Sequence, residues 1–73
     1  MPPLPSVSGQ QVVRALQQVG WIKDRQHGSH VILIKPAHPA TLSVPQHRQV
    51  APGTLRSLIR ASGMSVQQFV DLL

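Results

Sequence analysis

WIKDRQHGSHVILIK, residues 21–35, predicts the hairpin around which the rest of this chain folds. In both halves of the stretch, apolar and β-branched residues recur with partial alternation, which is typical of β-strands. Between the halves stands HGS, in which Gly28 can take a positive φ at no steric cost. The pattern therefore predicts two short antiparallel strands, over 21–26 and 30–35, joined by a turn.

A third strand is predicted by ATLSV, residues 40–44, which follows a loop punctuated by prolines. Leu42 and Val44 point to one side of this strand, and Thr41 and Ser43 point to the other. The three strands are expected to form an antiparallel meander.

Both faces of the second strand are apolar, although a sheet covered on one side needs only one apolar face. Val31 and Leu33 point to one side, and Ile32 and Ile34 point to the other. Three interpretations of the spare face remain open. It contacts a partner, it lies under a second layer of the same chain, or it forms the seam of a homodimer.

The first helix is predicted over residues 9–19 from apolar side chains that recur on one helix face. A capping box of Ser8 and Gln11 precedes it, and Gly20 stands where a left-handed helix end is expected. The remaining side chains of this helix are polar and are interpreted as an ordinary solvated face: Gln10, Gln11, Arg14, Gln17 and Gln18.

Two further helices are predicted after the strands. One begins at Pro52, and a short C-terminal helix opens with a second capping box, formed by Ser65 and Gln68. The order helix, three strands, helix, helix predicts a small α+β fold with a three-stranded antiparallel sheet and helices on one face. Trp21 and Phe69 are expected to anchor its core.

The chain is expected to be a single domain over residues 8–73, preceded by a flexible proline-rich N-terminus over residues 1–7. A domain of this size buries only about 60% of the surface that its unfolded chain exposes. A large substrate must therefore bind on its surface. The sequence has no apolar run that approaches the length of a membrane span, and the protein is expected in the cytoplasm.

The composition narrows the class of partner. Seven Lys and Arg against two acids give a formal net charge of +5. This charge favours nucleic acid, although an acidic protein or an anionic membrane would also fit it. The absence of cysteine excludes disulfides, thiolate zinc sites and thiol catalysis. With one Trp and one Phe, contacts to phosphates are favoured over stacking of bases on aromatic side chains.

Histidine remains as the residue type that could act in acid–base catalysis. The four histidines have no recognised metal-ligand spacing, and no metal or other cofactor is expected. On a basic surface, an imidazole can take the proton from a ribose 2′-hydroxyl or give one to the leaving 5′-oxygen, which requires no metal. For His30 the alternative is a tolerated surface residue or a partner in a turn hydrogen bond.

Three cations lie nearest to the histidines in the predicted hairpin and its flank: Arg25, Lys35 and Arg48. They are candidates for holding the phosphate of an RNA substrate and for stabilising charge that develops on its oxygens. The alternative for each is a solubilising surface charge.

Several short motifs, in order along the chain, resemble the HicA family. They are GW after the capped helix, GSH at the opening of an apolar strand, VPQH, and PGTLR. The resemblance covers about residues 8–73. It implies a fold like a double-stranded-RNA-binding domain, α-β-β-β-α, here with a short C-terminal helix. It also implies the toxin of a toxin–antitoxin pair, a metal-independent endoribonuclease that cleaves mRNA and inhibits translation.

The family has one functional histidine in its GSH motif, and the resemblance places this role, general acid or base, on His30. Gly28 and Ser29 match the turn that supports it. His27 and His47 are candidates for a second proton carrier, and a solvated turn or loop histidine is the alternative for each.

The resemblance implies a HicB antitoxin as protein partner, with no membrane role. An acidic antitoxin would find complementary charge here, and Val31 and Leu33 are the candidate contact face. Two other functions remain open: an RNA-binding module without catalysis, and a decayed toxin that only binds its antitoxin.

Overall fold

A computed structural model describes residues 3–73; Met1 and Pro2, at the start of the predicted flexible N-terminus, lie outside the described residues. The elements in chain order are α1 (Gly9–Gln17), β1 (Ile22–His27), β2 (His30–Ile34), β3 (Leu42–Pro45), α2 (Pro52–Ala61) and α3 (Val66–Val70). The predicted α+β class and the order helix, three strands, helix, helix are confirmed, in agreement with a fold like a double-stranded-RNA-binding domain.

The sheet is an antiparallel meander in the order β1-β2-β3. Residues that face one another across strands project to the same side of the sheet, so the register defines two faces. The inner face carries Lys23, Gln26, Val31, Leu33, Leu42 and Val44. The outer face carries Ile22, Arg25, His27, His30, Ile32, Ile34, Ser43 and Pro45.

The helices cover the inner face. Its apolar strand residues share one buried cluster with side chains of α1, α2 and α3, whereas Lys23 and Gln26 on the edge strand are exposed. Leu33 has no exposed surface, and Val31 retains only 5% of its surface. Both side chains pack in the protein's own core and offer little surface to a partner; the predicted antitoxin contact through them stays a prediction.

On the outer face, apolar surface reaches solvent. Ile22 and Ile34 oppose each other across β1 and β2, and they are 50% and 39% exposed. Ile32, between Ile34 and His30 along the same face, is buried. The spare apolar face of the second strand is thus the one that carries His30.

A β-bulge interrupts β1. Lys23 opposes Leu33 and Arg25 opposes Ile32, so Asp24 is an extra residue between two consecutive pairs. Residues two apart in a regular strand share a face, but the bulge puts Lys23 on the inner face and Arg25 on the outer face. One short strand therefore presents cations to both sides of the sheet.

The predicted helix signals act as expected. The Ser8 hydroxyl accepts from the Gln11 backbone N–H at 3.2 Å, and Gln11 Oε1 accepts from the Ser8 N–H at 2.8 Å. The second capping box, Ser65 with Gln68, is also complete. Each box gives a local partner to two backbone N–H groups at the helix N-terminus that have none within the helix. Helix α1 ends at Gln17, two residues before the predicted end at 19, and passes into a turn.

The segment before α1 belongs to the packed structure. Val7 is buried, and its carbonyl accepts from the Val50 N–H at 2.8 Å, so the chain before the helix runs beside the loop after β3. The flexibility of residues 1–7 and the boundary at residue 8 stay predictions. Among residues 3–73, no helix has the length and apolarity that a bilayer span requires.

Trp21 and Phe69 lie in the core, as predicted, with 2% and no exposed surface. Trp21 contacts the ring of His38 edge-on, with 4.9 Å between the ring centroids. His38 Nδ1 accepts from the Ala40 N–H at 3.1 Å. These contacts give His38 a structural role in the loop between β2 and β3.

Candidate functional site

His30 is the first residue of β2 and follows a two-residue turn of Gly28 and Ser29. Gly28 has a φ of 60°, whereas the φ of Ser29 is not positive. A positive φ followed by a negative φ at the two central residues is typical of a type II′ turn. A Cβ on Gly28 would meet nothing within 4 Å, so the backbone conformation, and not space, calls for glycine here. The turn delivers His30 to the outer face as an exposed side chain.

His27 lies beside His30. The two residues face each other across β1 and β2, and Pro45 faces His30 from β3. The Cα atoms of facing residues in antiparallel strands are about 4.5–5.5 Å apart, and their side chains stand next to each other on one face. Two exposed histidines thus occupy facing positions on one face of the hairpin.

His47 and Arg48 follow β3 in a loop that is held at both sides. The Gln46 N–H donates to the Ser29 carbonyl at 2.7 Å, and the Gly9 N–H donates to the His47 carbonyl at 3.0 Å. The loop therefore joins the turn before His30 to the first residue of α1. Its side chains, with those of Ser8 and Gln10, line a shallow pocket of about 290 Å³.

Gly9 permits the close approach between α1 and this loop. A Cβ at Gly9 would overlap the Pro45 carbonyl oxygen and lie 2.8 Å from the Gln46 Cα. Such distances are shorter than van der Waals contact, and the backbone atoms involved cannot move aside as a flexible side chain can. The glycine therefore fixes how near the end of β3 lies to the start of α1.

Arg25 shares the outer face with the two histidines and lies two residue pairs away from them, opposite Ile32. Its Nη1 is 2.6 Å from Asp24 Oδ2, with side chains 65% and 37% exposed, respectively. An exposed ion pair contributes about 0–1 kcal/mol. A phosphate can accordingly replace Asp24 as the partner of Arg25 at small cost.

Lys35 lies at the other end of β2. Its Cε is 3.3 Å from the place that a Cβ on Gly20 would occupy. Five residues of strand, at about 3.3 Å each, separate it from His30 by about 16 Å. Of the three cations nearest to the histidines in sequence, Lys35 is the one that the fold does not bring to His30.

Among residues 3–73, no three histidine or carboxylate side chains converge in a geometry that could hold a metal ion. His38 is separated from the other histidines by its contacts with Trp21 and Ala40. His27 and His30 form a pair, with His47 on the neighbouring loop.

A second polar surface lies between α1 and β1, and sequence analysis did not identify it. It is a groove of about 390 Å³ on the helix side of the sheet. Arg14 and Lys23 stand on it, among side chains that were interpreted as ordinary solvated surface. The missed signal is the spacing of Gln10, Arg14 and Gln17, which places them on one stripe of the helix.

Comparison with protein families identifies a family for this chain. The family model described as "HicA toxin of bacterial toxin-antitoxin" matches residues 9–64, which is more than half of the chain. The matched range runs from the start of α1 to beyond the end of α2, and it includes the turn, the histidine pair and the loop after β3. No curated protein matches the chain.

Proposed function

Because the chain belongs to the HicA family of toxins from bacterial toxin–antitoxin systems, we propose that it is a metal-independent endoribonuclease that cleaves mRNA. In this proposal the protein acts in the cytoplasm, inhibits translation, and is silenced by a HicB-like antitoxin. The observation that carries the proposal is the exposed His30 beside His27 on the outer face, with Arg25 on the same face.

The proposed reaction is an attack within the RNA. A general base removes the proton of a ribose 2′-hydroxyl, the 2′-oxygen bonds to the adjacent phosphorus, and the bond from phosphorus to the 5′-oxygen breaks. A general acid gives that leaving oxygen a proton. The products are a 2′,3′-cyclic phosphate and a 5′-hydroxyl. Histidine suits both roles because it ordinarily gains or loses a proton near neutral pH.

His30 takes one of the two proton-transfer roles in this proposal. His27 is favoured for the other because it faces His30 across the hairpin, and His47 is the second candidate from the neighbouring loop. Gly28 and Ser29 fix the direction of His30 through the turn.

Cations assist the reaction by holding the phosphate. Arg25 is suited to hold the scissile phosphate and to stabilise charge on its oxygens, because it lies on the same face as His30. Arg48, next to His47, is a candidate contact for the adjoining phosphate. Lys35 lies too far from His30 to share a phosphate with it, so any RNA contact of Lys35 serves a nucleotide farther along.

The experiment that tests this function is incubation of the wild-type protein with a long single-stranded RNA at low salt in the presence of EDTA. We expect fragments that end in a 2′,3′-cyclic phosphate and begin with a 5′-hydroxyl. Mass spectrometry of the fragments identifies both ends, and addition of the antitoxin is expected to stop the reaction.

Two results would replace the proposal with another function. Intact RNA that nevertheless binds in a salt-dependent way would identify an RNA-binding module without catalysis. Neither cleavage nor RNA binding, together with tight binding of the antitoxin, would identify a decayed toxin.

The outer face of the sheet is the proposed antitoxin contact, in place of the buried Val31 and Leu33. It combines exposed apolar surface of Ile22 and Ile34 with His30, so one partner could bury the first and block the second. A standard interface of about 800 Å² per partner is wide enough to cover both ends of β2.

Replacing Ile22 and Ile34 together by threonine is expected to weaken antitoxin binding about tenfold or more. Threonine retains the β-branched shape that suits a strand but removes apolar contact area. Calorimetric titration with the antitoxin measures the effect. The matched control is Leu73→Thr, which changes another exposed apolar residue, 53% exposed, outside the sheet. An equal affinity for both variants would place the antitoxin on a different surface.

A further inference from the structure

The groove between α1 and β1 is built from two elements that are distant in sequence. Gln10, Val13, Arg14 and Gln17 form its helical wall, at spacings of three, four and seven residues that place them on one stripe of α1. Lys23 and Gln26, from the inner face of β1, form the opposite wall.

The groove is open because β1 extends beyond the helix layer. Helix α1 packs against β3, at the other edge of the sheet. Lys23 and Gln26 face the same side as Leu33 and Val31, their buried neighbours on β2, yet both are exposed. The inner face of the edge strand β1 is therefore exposed beside α1 and is not covered by the protein's own core.

The charge of the groove is not neutralised within the described part of the chain. Arg14 and Lys23 both line it, and no carboxylate does. Of the two acids, Asp24 is engaged by Arg25, and Asp71 accepts from Gln67 Nε2 at 2.9 Å on α3. Among residues 3–73, neither Arg14 nor Lys23 takes part in an ion pair. Two cations are thus available to an anionic ligand.

The other polar side chains of the groove are amides. Gln26 Nε2 donates to the Gly28 carbonyl at 3.3 Å, and Gln46 Nε2 donates to the Val44 carbonyl at 3.0 Å. These bonds use the donor ends and leave the Oε1 atoms to accept from a ligand. Gln10 and Gln17 add two more amides across the groove. In a nucleic acid, each phosphate carries a negative charge that a cation can bind. The bases are uncharged and carry hydrogen-bond donors and acceptors that amides can bind.

The groove reaches the end of the sheet at which His30 lies. Gln26 adjoins His27, and Gln46 adjoins Pro45; these two neighbours are the residues that face His30. From this end to Lys23 the strand runs about 10–13 Å. A ligand in the groove would thus continue around the hairpin to His30.

We propose that the groove between α1 and β1 binds single-stranded RNA on one side of the scissile phosphate, with Arg14 and Lys23 holding backbone phosphates and the glutamine amides contacting bases. The inference rests on the proposed ribonuclease function and adds the surface that holds the substrate. An acidic protein segment is a less complete match, because carboxylates would use the cations but leave the four amides without bases to contact.

The test measures the affinity of a short single-stranded RNA for the His30→Ala protein, with and without Arg14→Gln and Lys23→Gln, over a range of salt concentrations. Fluorescence anisotropy of labelled RNA gives the dissociation constant. We expect the double replacement to weaken binding at least tenfold at low salt. Each lost phosphate contact should reduce the slope of log affinity against log salt by about 0.7.

The matched control is Arg60→Gln, which removes the same charge from an exposed residue in the last turn of α2. It is expected to change the affinity by no more than about twofold. The charge-conserving pair Arg14→Lys and Lys23→Arg is expected to restore most of the binding. In the otherwise wild-type protein, the double Gln replacement should raise KM with little change in kcat, because the groove lies away from the reacting bond.

Two outcomes overturn the groove proposal. One is a double Gln variant that binds RNA as well as the Arg60→Gln control does. The other is a double Gln variant that loses affinity for the antitoxin but not for RNA, which would make the groove a protein contact. A different result would show that the proposed ribonuclease function is wrong but the groove proposal is right. The wild type would then leave RNA intact, while the double Gln replacement would still weaken RNA binding.

Discussion

Replacing His30 with alanine is expected to slow RNA cleavage severely while the fold and the affinity for RNA are retained. General acid–base catalysis by a positioned side chain contributes typically about 10²–10⁴-fold to a rate, and the initial rate should fall by that range. His30 is exposed at the end of β2, and exposed substitutions usually change stability by no more than about 0.5 kcal/mol. Initial rates on a labelled RNA, with circular dichroism of both proteins, measure the two effects.

Companion variants His27→Ala and His47→Ala identify the second proton carrier. The one that acts in catalysis should lose a similar factor, and the other should remain within a few fold of the wild type. Equal cleavage by the wild type and by His30→Ala would show that the activity lies elsewhere or belongs to a contaminant. Loss of the circular dichroism spectrum in His30→Ala would point instead to a structural role for His30.

Gly9→Ala is expected to destabilise the protein and to lower cleavage at the same time. The new Cβ would overlap the Pro45 carbonyl oxygen, so the start of α1 and the end of β3 must separate. Forcing an extra methyl into a packed contact costs typically about 1–3 kcal/mol of unfolding free energy. The separation also strains the bond from the Gly9 N–H to the His47 carbonyl, which positions the loop beside His30. Urea denaturation and cleavage rates measure the two losses.

Gly53→Ala is the matched control for this variant. Gly53 lies in the first turn of α2, and a Cβ there would meet nothing within 4 Å. Replacing a glycine by alanine at a compatible position stabilises a protein by about 0.4–1 kcal/mol. The two substitutions should therefore shift the urea midpoint in opposite directions. A Gly9→Ala midpoint equal to or above that of the wild type would contradict the close approach of α1 and β3.

The local signals in the sequence were sufficient for the elements of the fold. Both capping boxes, the glycine turn before His30 and the helix beginning at Pro52 depend on side chains within a few residues of each other. Such short-range geometry can be predicted from the sequence because it needs no knowledge of tertiary packing.

Which face of β2 is covered could not be predicted from its sequence. Alternation separates Val31 and Leu33 from Ile32 and Ile34, but both pairs are equally apolar. The position of the helices decides which pair is covered, and they pack over Val31 and Leu33. The antitoxin contact predicted from the sequence therefore falls on the covered pair, and the apolar surface that reaches solvent lies on the other face.

The distribution of cations also depended on features that a regular pattern does not contain. Arg25 is two residues before His27 and shares its face, and the bulge at Asp24 places Lys23 on the opposite face, beside α1. Lys35 is close to His30 in sequence, but the rise of the strand carries it to the far end. The groove between α1 and β1 depends on where α1 lies over the sheet, and helix periodicity alone does not specify that position.

The bulge in β1 also bears on how the protein behaves when it accumulates without a partner. An edge strand offers unpaired N–H and C=O groups to a strand of another molecule, which is a common route to aggregation. In β1 that ladder is broken at Asp24, within a run of three charged residues. At the other edge, β3 spans four residues and ends in Pro45, which has no N–H to donate. Both borders of the sheet thus discourage strand addition, so toxin left free of its antitoxin is expected to stay dispersed.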